Sequence, residues 1–288
     1  MSTDKRKHLM IQSNYSAMNA IANINNTNSL LEKSLQRLTT GKRINSASDD
    51  VSGLAIADKL RTQSSSLSMS ITNANNARAM IKIADGAMKE TSDSLDSIKT
   101  KLIQAASSTT SDEGRESIRK DIAKLLKSID ETAKNTTYNG MQLLAKADGS
   151  ATDALNFQIG ETSSSVVSTD GGVRANSEGL GLDALRDLAA DGLTVSGAQT
   201  YIDTIDTAIS TLSGWKSDFG STQNSLESRI RNMTTTVTNL NAAKDQIMNL
   251  DFEQESANFS KLQIQAQAGL FALSQANVMQ QNVLRLLQ

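Results

Sequence analysis

From Ala17 onward apolar side chains recur at alternating steps of four and three: Ala17, Ile21, Ile24, Asn28, Leu31, Leu35 and Leu38. That is a heptad seam with one polar member, and it asks for a partner helix. The helix should stop at Thr39-Thr40-Gly41, where Gly41 can supply a left-handed cap. Ser46-Ala47-Ser48-Asp49 then matches a capping box, with Ser46 as N-cap and Asp49 at the third helical position. A second helix is expected from about 47 to 107, with a break, on the stripe Leu67, Ile71, Ala74, Ile81, Met88, Leu95, Ile98 and Leu102. After a polar turn over 107–114, Ile118, Ile122, Leu125 and Ile129 define a third helix, ending before the Asn139-Gly140 turn signal.

The helical period weakens between 145 and 197, where Asn156 to Gly160 and Ser165 to Ser168 read as the two short strands of a hairpin, the one β region expected. A brief helix is expected over 182–190. The most regular stretch follows: Ile202, Ile205, Ile209, Leu212, Lys216, Phe219, Gln223, Leu226, Ile230, Met233, Val237, Leu240, Lys244 and Ile247 keep the alternation unbroken, with 11 of the 14 positions apolar. This predicts a helix of about 45 residues, roughly 68 Å long. Leu262, Ala266, Gly269, Leu273, Ala276, Gln280, Val283 and Leu287 repeat the device at the C-terminal end. The expected fold class is mainly α: an elongated antiparallel helical bundle or coiled coil with a small β-hairpin element in the middle of the chain.

Charge distribution changes the picture at both ends. No Asp, Glu, Lys or Arg occurs over the 24 residues 8–31, nor over the 23 residues 262–284. A helix with one solvated face carries Glu and Lys there, so the outer faces of these ends are expected to be covered by other copies of the chain. Lipid is a poor cover, because 8 of those 23 C-terminal residues are Gln or Asn, and such amides are costly in hydrocarbon.

Composition removes most chemistry. The chain has no Cys and one His, His8, which excludes thiol nucleophiles and Cys-ligated metals and leaves a Ser-His-Asp triad or His-rich metal site only that tail residue. No enzyme activity and no cofactor are expected. With 29 Lys+Arg against 31 Asp+Glu there is no basic footprint for nucleic acid. No apolar run is long enough for a membrane span, and the N-terminus lacks the apolar core of a cleaved secretory signal. There is no proline against an average usage of about 5%, so long helices need not kink.

Specific stretches sharpen the reading. Leu35-Gln36-Arg37-Leu38-Thr39-Thr40-Gly41-Lys42-Arg43-Ile44-Asn45-Ser46-Ala47 with Asp49-Asp50, and Gly53-Leu54-Ala55-Ile56-Ala57, resemble the N-terminal region of bacterial flagellin. Ala257-Asn258-Phe259-Ser260-Lys261, Gln267-Ala268-Gly269, Gln275-Ala276-Asn277 and Gln281-Asn282-Val283-Leu284 resemble its C-terminal region. The likeness covers roughly 11–160 and 200–288. It implies a short flagellin with a minimal outer domain: residues 1–45 plus 249–288 as the terminal coiled coil lining the filament channel, 46–144 plus 198–248 as a helical spoke, and 145–197 as a small β/loop insertion at the outer end.

The resemblance also implies partners and location: the chain itself as a helical homopolymer, the flagellar export apparatus and a C-terminal export chaperone, and the filament cap and hook-junction proteins, in an extracellular filament reached without a cleaved leader. Subunit contacts are expected from Leu31, Leu35, Leu38, Arg43, Asn45, Asp49, Asp50, Leu262, Leu273, Gln281, Asn282, Val283 and Leu284. Three departures stand out. The chain before Ile11 is a few residues longer than usual and carries Lys5-Arg6-Lys7. Gln280 stands where many relatives have proline. Ser97 and Lys101 occupy the positions at which receptor-activating flagellins present an Arg and a Leu, so weak or no Toll-like receptor recognition is expected.

Blander readings remain beside these. The 202–247 stripe serves an intramolecular core first, Gly41 and Gly53 are cap and close-packing glycines rather than a phosphate cradle, Trp215 flanks the seam as packing, and a metalloprotease insertion would need the His pair the chain lacks. A hook-filament junction protein of the same family and, in another class, a signalling or tethering coiled coil are the alternative functions.

Overall fold

The computed structural model describes residues 15–190 and 192–286, and side chains as far as 279. Of the sequence features above, His8, Lys5-Arg6-Lys7 and the side chains of Gln280, Gln281, Asn282, Val283, Leu284 and Leu287 lie outside the described residues. Six helices occur among them: α1 (Tyr15–Thr40), α2 (Val51–Ala105), α3 (Asp112–Asn135), α4 (Asp183–Arg186), α5 (Val195–Met248) and α6 (Phe252–Leu286). Strands β1 (Thr137–Tyr138) with β2 (Met141–Gln142), and β3 (Asn156–Gln158) with β4 (Val166–Ser168), form two antiparallel pairs. The chain divides into two compact units, one of residues 1–61 and 240–288, the other of residues 62–239.

In the second unit the core is built from rows with the heptad period. On α2, Ala74, Ala77, Ile81, Ala84, Met88, Thr91, Leu95, Ile98, Leu102 and Ala105 are all buried. The Thr91 hydroxyl is satisfied by donating to the Ala87 carbonyl at 3.1 Å. On α5, Ile205, Leu212, Phe219, Leu226 and Met233 are buried at intervals of seven, while Ile202, Ile209, Lys216, Gln223 and Ile230 flank them half-buried, as does Trp215. Ile118, Ile122, Leu126, Ile129 and Ala133 of α3 close the core together with Leu143 and Leu144. Ser111 caps α3 by accepting from Gly114 N at 3.2 Å.

Four expectations are corrected. α2 runs from 51 to 105 without a break, since nothing in it removes a backbone donor. Its N-cap is Asp50, whose Oδ1 accepts from Gly53 N at 2.8 Å and whose carbonyl accepts from Leu54 N; Ser46 and Asp49 belong to the preceding turn. The helix near 182–190 is only one turn, α4. The 145–197 region is not the sole β segment. Asn139 (φ 50°) and Gly140 (φ 79°) form the two-residue loop of a second hairpin, β1–β2, in register Thr137↔Gln142 and Tyr138↔Met141. Positive φ at both loop residues suits the twist of the flanking strands, and this is why Asn-Gly serves there.

Candidate functional site

In the terminal unit α1 packs along α6, and each helix gives the other one row. On α6 the covered row is Glu255, Phe259, Leu262, Ala266, Gly269, Leu273 and Ala276, which from Leu262 to Ala276 is the row expected from its spacing. On α1 it is Ala17, Ala20, Ile24, Thr27, Leu31, Ser34 and Leu38. This corrects half of the expected seam. Ala17, Ile24, Leu31 and Leu38 are shared, but Ala20, Thr27 and Ser34 replace Ile21, Asn28 and Leu35.

The displaced side chains face outward. Ile21 is 47% exposed and Leu35 50%, with Met18 and Tyr15 also exposed. α6 carries a matching feature. Ile264, Phe271 and Val278, seven residues apart, are exposed, Phe271 at 75%. They stand two positions after Leu262, Gly269 and Ala276, which is roughly 200° round the helix and so on its opposite side. Isolated exposed apolar residues mean little, but repeated rows do. Covering one such Ile or Phe stabilises by about 1.5–3 kcal/mol. The α6 row was missed in sequence, although its seven-residue period is legible once the first seam is set aside.

The pairing within the unit has polar parts. The Arg37 guanidinium lies 4.0 Å from the buried Glu255 carboxylate, which also accepts from Asn258. Ser34 is 2% exposed and its hydroxyl has no hydrogen-bond partner among the described residues, a burial that costs stability.

Arg43, Asn45, Asp49 and Asp50 fall in the turn joining α1 to α2. Gly41 (φ 68°) ends α1, its N–H donating to the Arg37 carbonyl at 2.8 Å. The turn is stitched to the α5–α6 connection: Arg43 N donates to the Met248 carbonyl at 2.7 Å, Leu250 N to the Gly41 carbonyl at 3.1 Å, and the Arg43 guanidinium to the Ile247 carbonyl at 2.9 Å. A cation there satisfies the last carbonyls of α5 and opposes its negative end. Asp49 Oδ2 accepts from Asn45 N and Ser46 N, both at 3.1 Å, and from the Ser46 hydroxyl, with Lys33 at 3.9 Å from Oδ1. These bonds, led by the Asn45 and Ser46 amides, hold its carboxyl below the usual aspartate value. Ile44 is the apolar pin of the turn, 1% exposed. The four polar residues are thus engaged within the unit; Arg43 remains exposed and Asn45, Asp49 and Asp50 half-exposed.

Ser97 and Lys101 lie on α2 in the other unit. Ser97 is exposed and its hydroxyl donates to the Asp93 carbonyl. Lys101 Nζ donates to Asp121 of α3 at 2.9 Å, which lowers the Asp121 pKa. Among the described residues no group of three or more His, Cys, Asp or Glu is placed to hold a metal, and no helix is long and apolar enough to cross a membrane.

Comparison with known proteins agrees with this arrangement at both ends. Residues 11–148 match the bacterial flagellin N-terminal helical region, and residues 202–287 the bacterial flagellin C-terminal helical region. Flagellin of Bacillus subtilis is 32% identical, the match taking in 97% of this chain and 100% of the relative. The flagellar filament 33 kDa core protein of Treponema phagedenis is 32% identical over the same shares. A solved Vibrio parahaemolyticus structure, assigned as a flagellar hook-associated protein, has a TM-score of 0.57 at 13% identity, over 70% of this chain and 100% of that one; it shares the fold.

Proposed function

The chain belongs to the bacterial flagellin family, and from that premise we propose how it works as the structural subunit of a flagellar filament. One observation carries the reading. The terminal helices spend one row on each other and keep further apolar side chains exposed, of which Ile21, Ile264, Phe271 and Val278 stand in stretches without a charged side chain. A subunit that buried only the first row would gain by carrying Lys and Glu on the second; a subunit enclosed by copies of itself would not.

Leu31, Leu38, Leu262 and Leu273 then act inside the subunit, setting the pair. Leu35, with Ile21, Ile264, Phe271 and Val278, acts between subunits, and the family resemblance assigns Gln281, Asn282, Val283 and Leu284 to the same role. Arg43, Asn45, Asp49 and Asp50 shape the turn and present its exposed edges to neighbours. Residues 1–45 with 249–288 form the inner tube, 46–144 with 198–248 the spoke, and 145–197 the outer tip. Contacts of this kind join two different faces, so they do not close and instead propagate a helical polymer. Ordering of the ends on docking is offset by the apolar rows and amide hydrogen bonds gained.

Family membership further supports passage through the flagellar export apparatus, with a C-terminal chaperone, and assembly beneath a filament cap onto the hook-junction proteins, while Ser97 and Lys101 support weak Toll-like receptor recognition. The absence of proline supports rapid folding at the growing tip, where slow X-Pro isomerisation would delay docking. The test is seeded polymerisation followed by electron microscopy. The wild-type chain should give long filaments, whereas Phe271→Asp should give none while keeping its helical circular dichroism. Short rings from the wild type would mark a junction protein, and filaments from the Asp variant would remove the exposed row from the assembly surface.

A further inference from the structure

The β1–β2 turn combines three features that bear on chemistry rather than on folding alone. Asn139 is the only asparagine in the chain followed by glycine. It is exposed, as is Gly140, and a Cβ built on Gly140 would meet nothing within 4 Å. It is also the one non-glycine residue with positive φ among the described residues. We propose that Asn139 is a site of spontaneous covalent modification, through imide formation with the backbone nitrogen of Gly140.

The step needs only water. The Gly140 nitrogen attacks Asn139 Cγ, an N–Cγ bond forms, the Cγ–Nδ2 bond breaks, and Nδ2 leaves as ammonia with the amide proton. Water then opens the five-membered imide at either carbonyl, giving aspartate or its β-linked isomer, with no net oxidation. Glycine matters because a side chain on residue 140 would crowd the attacking nitrogen; here that side is open. Competing residues are worse placed. Asn28, Asn45, Asn176 and Asn224 precede serine; Asn28 and Asn224 are held within the helices α1 and α5, and the other two are committed, Asn45 Nδ2 to the Lys42 carbonyl at 3.1 Å and Asn176 Nδ2 to the Gly149 carbonyl at 3.1 Å.

The turn itself opposes the reaction by holding one backbone conformation, so opening decides the rate. Each strand has two residues, and so short a ladder opens locally at little cost. The products differ structurally. Aspartate can keep the left-handed conformation while adding a negative charge. The β-linked isomer inserts a methylene into the main chain, which a two-residue loop with fixed register cannot absorb. The exposed Met141 beside it, at the rim of a groove of about 380 Å³ lined by Met80, Leu155 and Phe157, would move with the strand.

The test uses the full-length folded chain, held in mild alkali at physiological temperature and sampled by peptide mass spectrometry with fragmentation. The expected result is ammonia loss, then amide-to-acid conversion, at Asn139 before any other asparagine. Gly140→Ala should slow the conversion by about tenfold, through the added Cβ, even though alanine fits a positive φ poorly and loosens the turn. Asn139→Gly, which keeps a turn-competent pair, should remove the signal. Modification appearing first at another asparagine, an unchanged rate in Gly140→Ala, or conversion in urea but none in the folded chain would each overturn the proposal.

Discussion

Gly269 of α6 lies so close under Ile24 of α1 that a Cβ at position 269 would stand 2.9 Å from Ile24 Cγ1. The two helices approach closely there, and the absence of a side chain on one is what lets the other bury its isoleucine. A glycine in mid-helix costs about 1 kcal/mol relative to alanine; here close approach offsets it. Gly269→Ala should already weaken the terminal pair, since the clashing atom is Cγ1 of a β-branched side chain that is stiff in a helix, and moving it outweighs the gain in helix propensity. Gly269→Val should destabilise the terminal pair by about 1–3 kcal/mol. Amide exchange along α1 reads both, and a valine variant protected like the wild type would contradict the close approach.

Ser34 gives the opposite sign. Its hydroxyl is buried without a partner among the described residues, so Ser34→Ala loses no hydrogen bond and adds a better helix former. Stability of the terminal unit should rise by on the order of 1 kcal/mol. A lowered midpoint in thermal unfolding would mean that the hydroxyl has a partner after all.

The Asp49 turn should weaken in acid. Its carboxyl is held below the ordinary 3.8 by the Asn45 and Ser46 amides, the Ser46 hydroxyl and Lys33, so the folded turn favours the ionised form. This contribution is complete above the unfolded-state value, and is lost as the pH falls from there through the lower folded-state value. Exchange at the Asn45 and Ser46 amides should accelerate relative to the rest of the unit over that acid range. Asp49→Asn should show weaker protection at neutral pH and no such acid limb.

Receptor recognition offers a gain-of-function measurement. Ser97 supplies no guanidinium, and Lys101 is drawn toward Asp121 at 2.9 Å instead of presenting an apolar anchor. The wild-type protein should be a weak agonist in a Toll-like receptor reporter assay, and Ser97→Arg combined with Lys101→Leu should raise potency at least several-fold, since such anchors each contribute about 1 kcal/mol or more. Full potency of the unaltered chain would refute the assignment.

Much of the helical architecture was legible because burial imposes a period. The row Ile205 to Met233 was visible within an unbroken three-four alternation, and Ala74, Ile81, Met88 and Leu95 as a stripe at steps of seven, and both are core. Two-residue strands leave no period to detect, which is why β1–β2 showed only as an Asn-Gly turn. The cap of α2 was misplaced at Ser46 for a different reason. Ser46 and Asp50 are both good N-cap residues, and the choice fell to Asp50 because the Asp49 carboxylate is taken up by the amides of Asn45 and Ser46. Nothing local could reveal that Arg43 reaches the Ile247 carbonyl, 204 residues away.

At the two ends the amino-acid order by itself determined that each helix has more apolar surface than one partner can cover, and that no Asp, Glu, Lys or Arg occurs over residues 8–31 or 262–284. It did not determine which row faces inward. On α1 the alternatives share Ala17, Ile24, Leu31 and Leu38 and differ by one residue at every other step, so periodicity weighs them almost equally and hydrophobicity favours Ile21 and Leu35. Only the tertiary structure decided for Ala20, Thr27 and Ser34. The covered rows are rich in small residues, with Gly269 directly against Ile24; bringing two backbones that near favours small side chains in the seam and leaves the large ones outside.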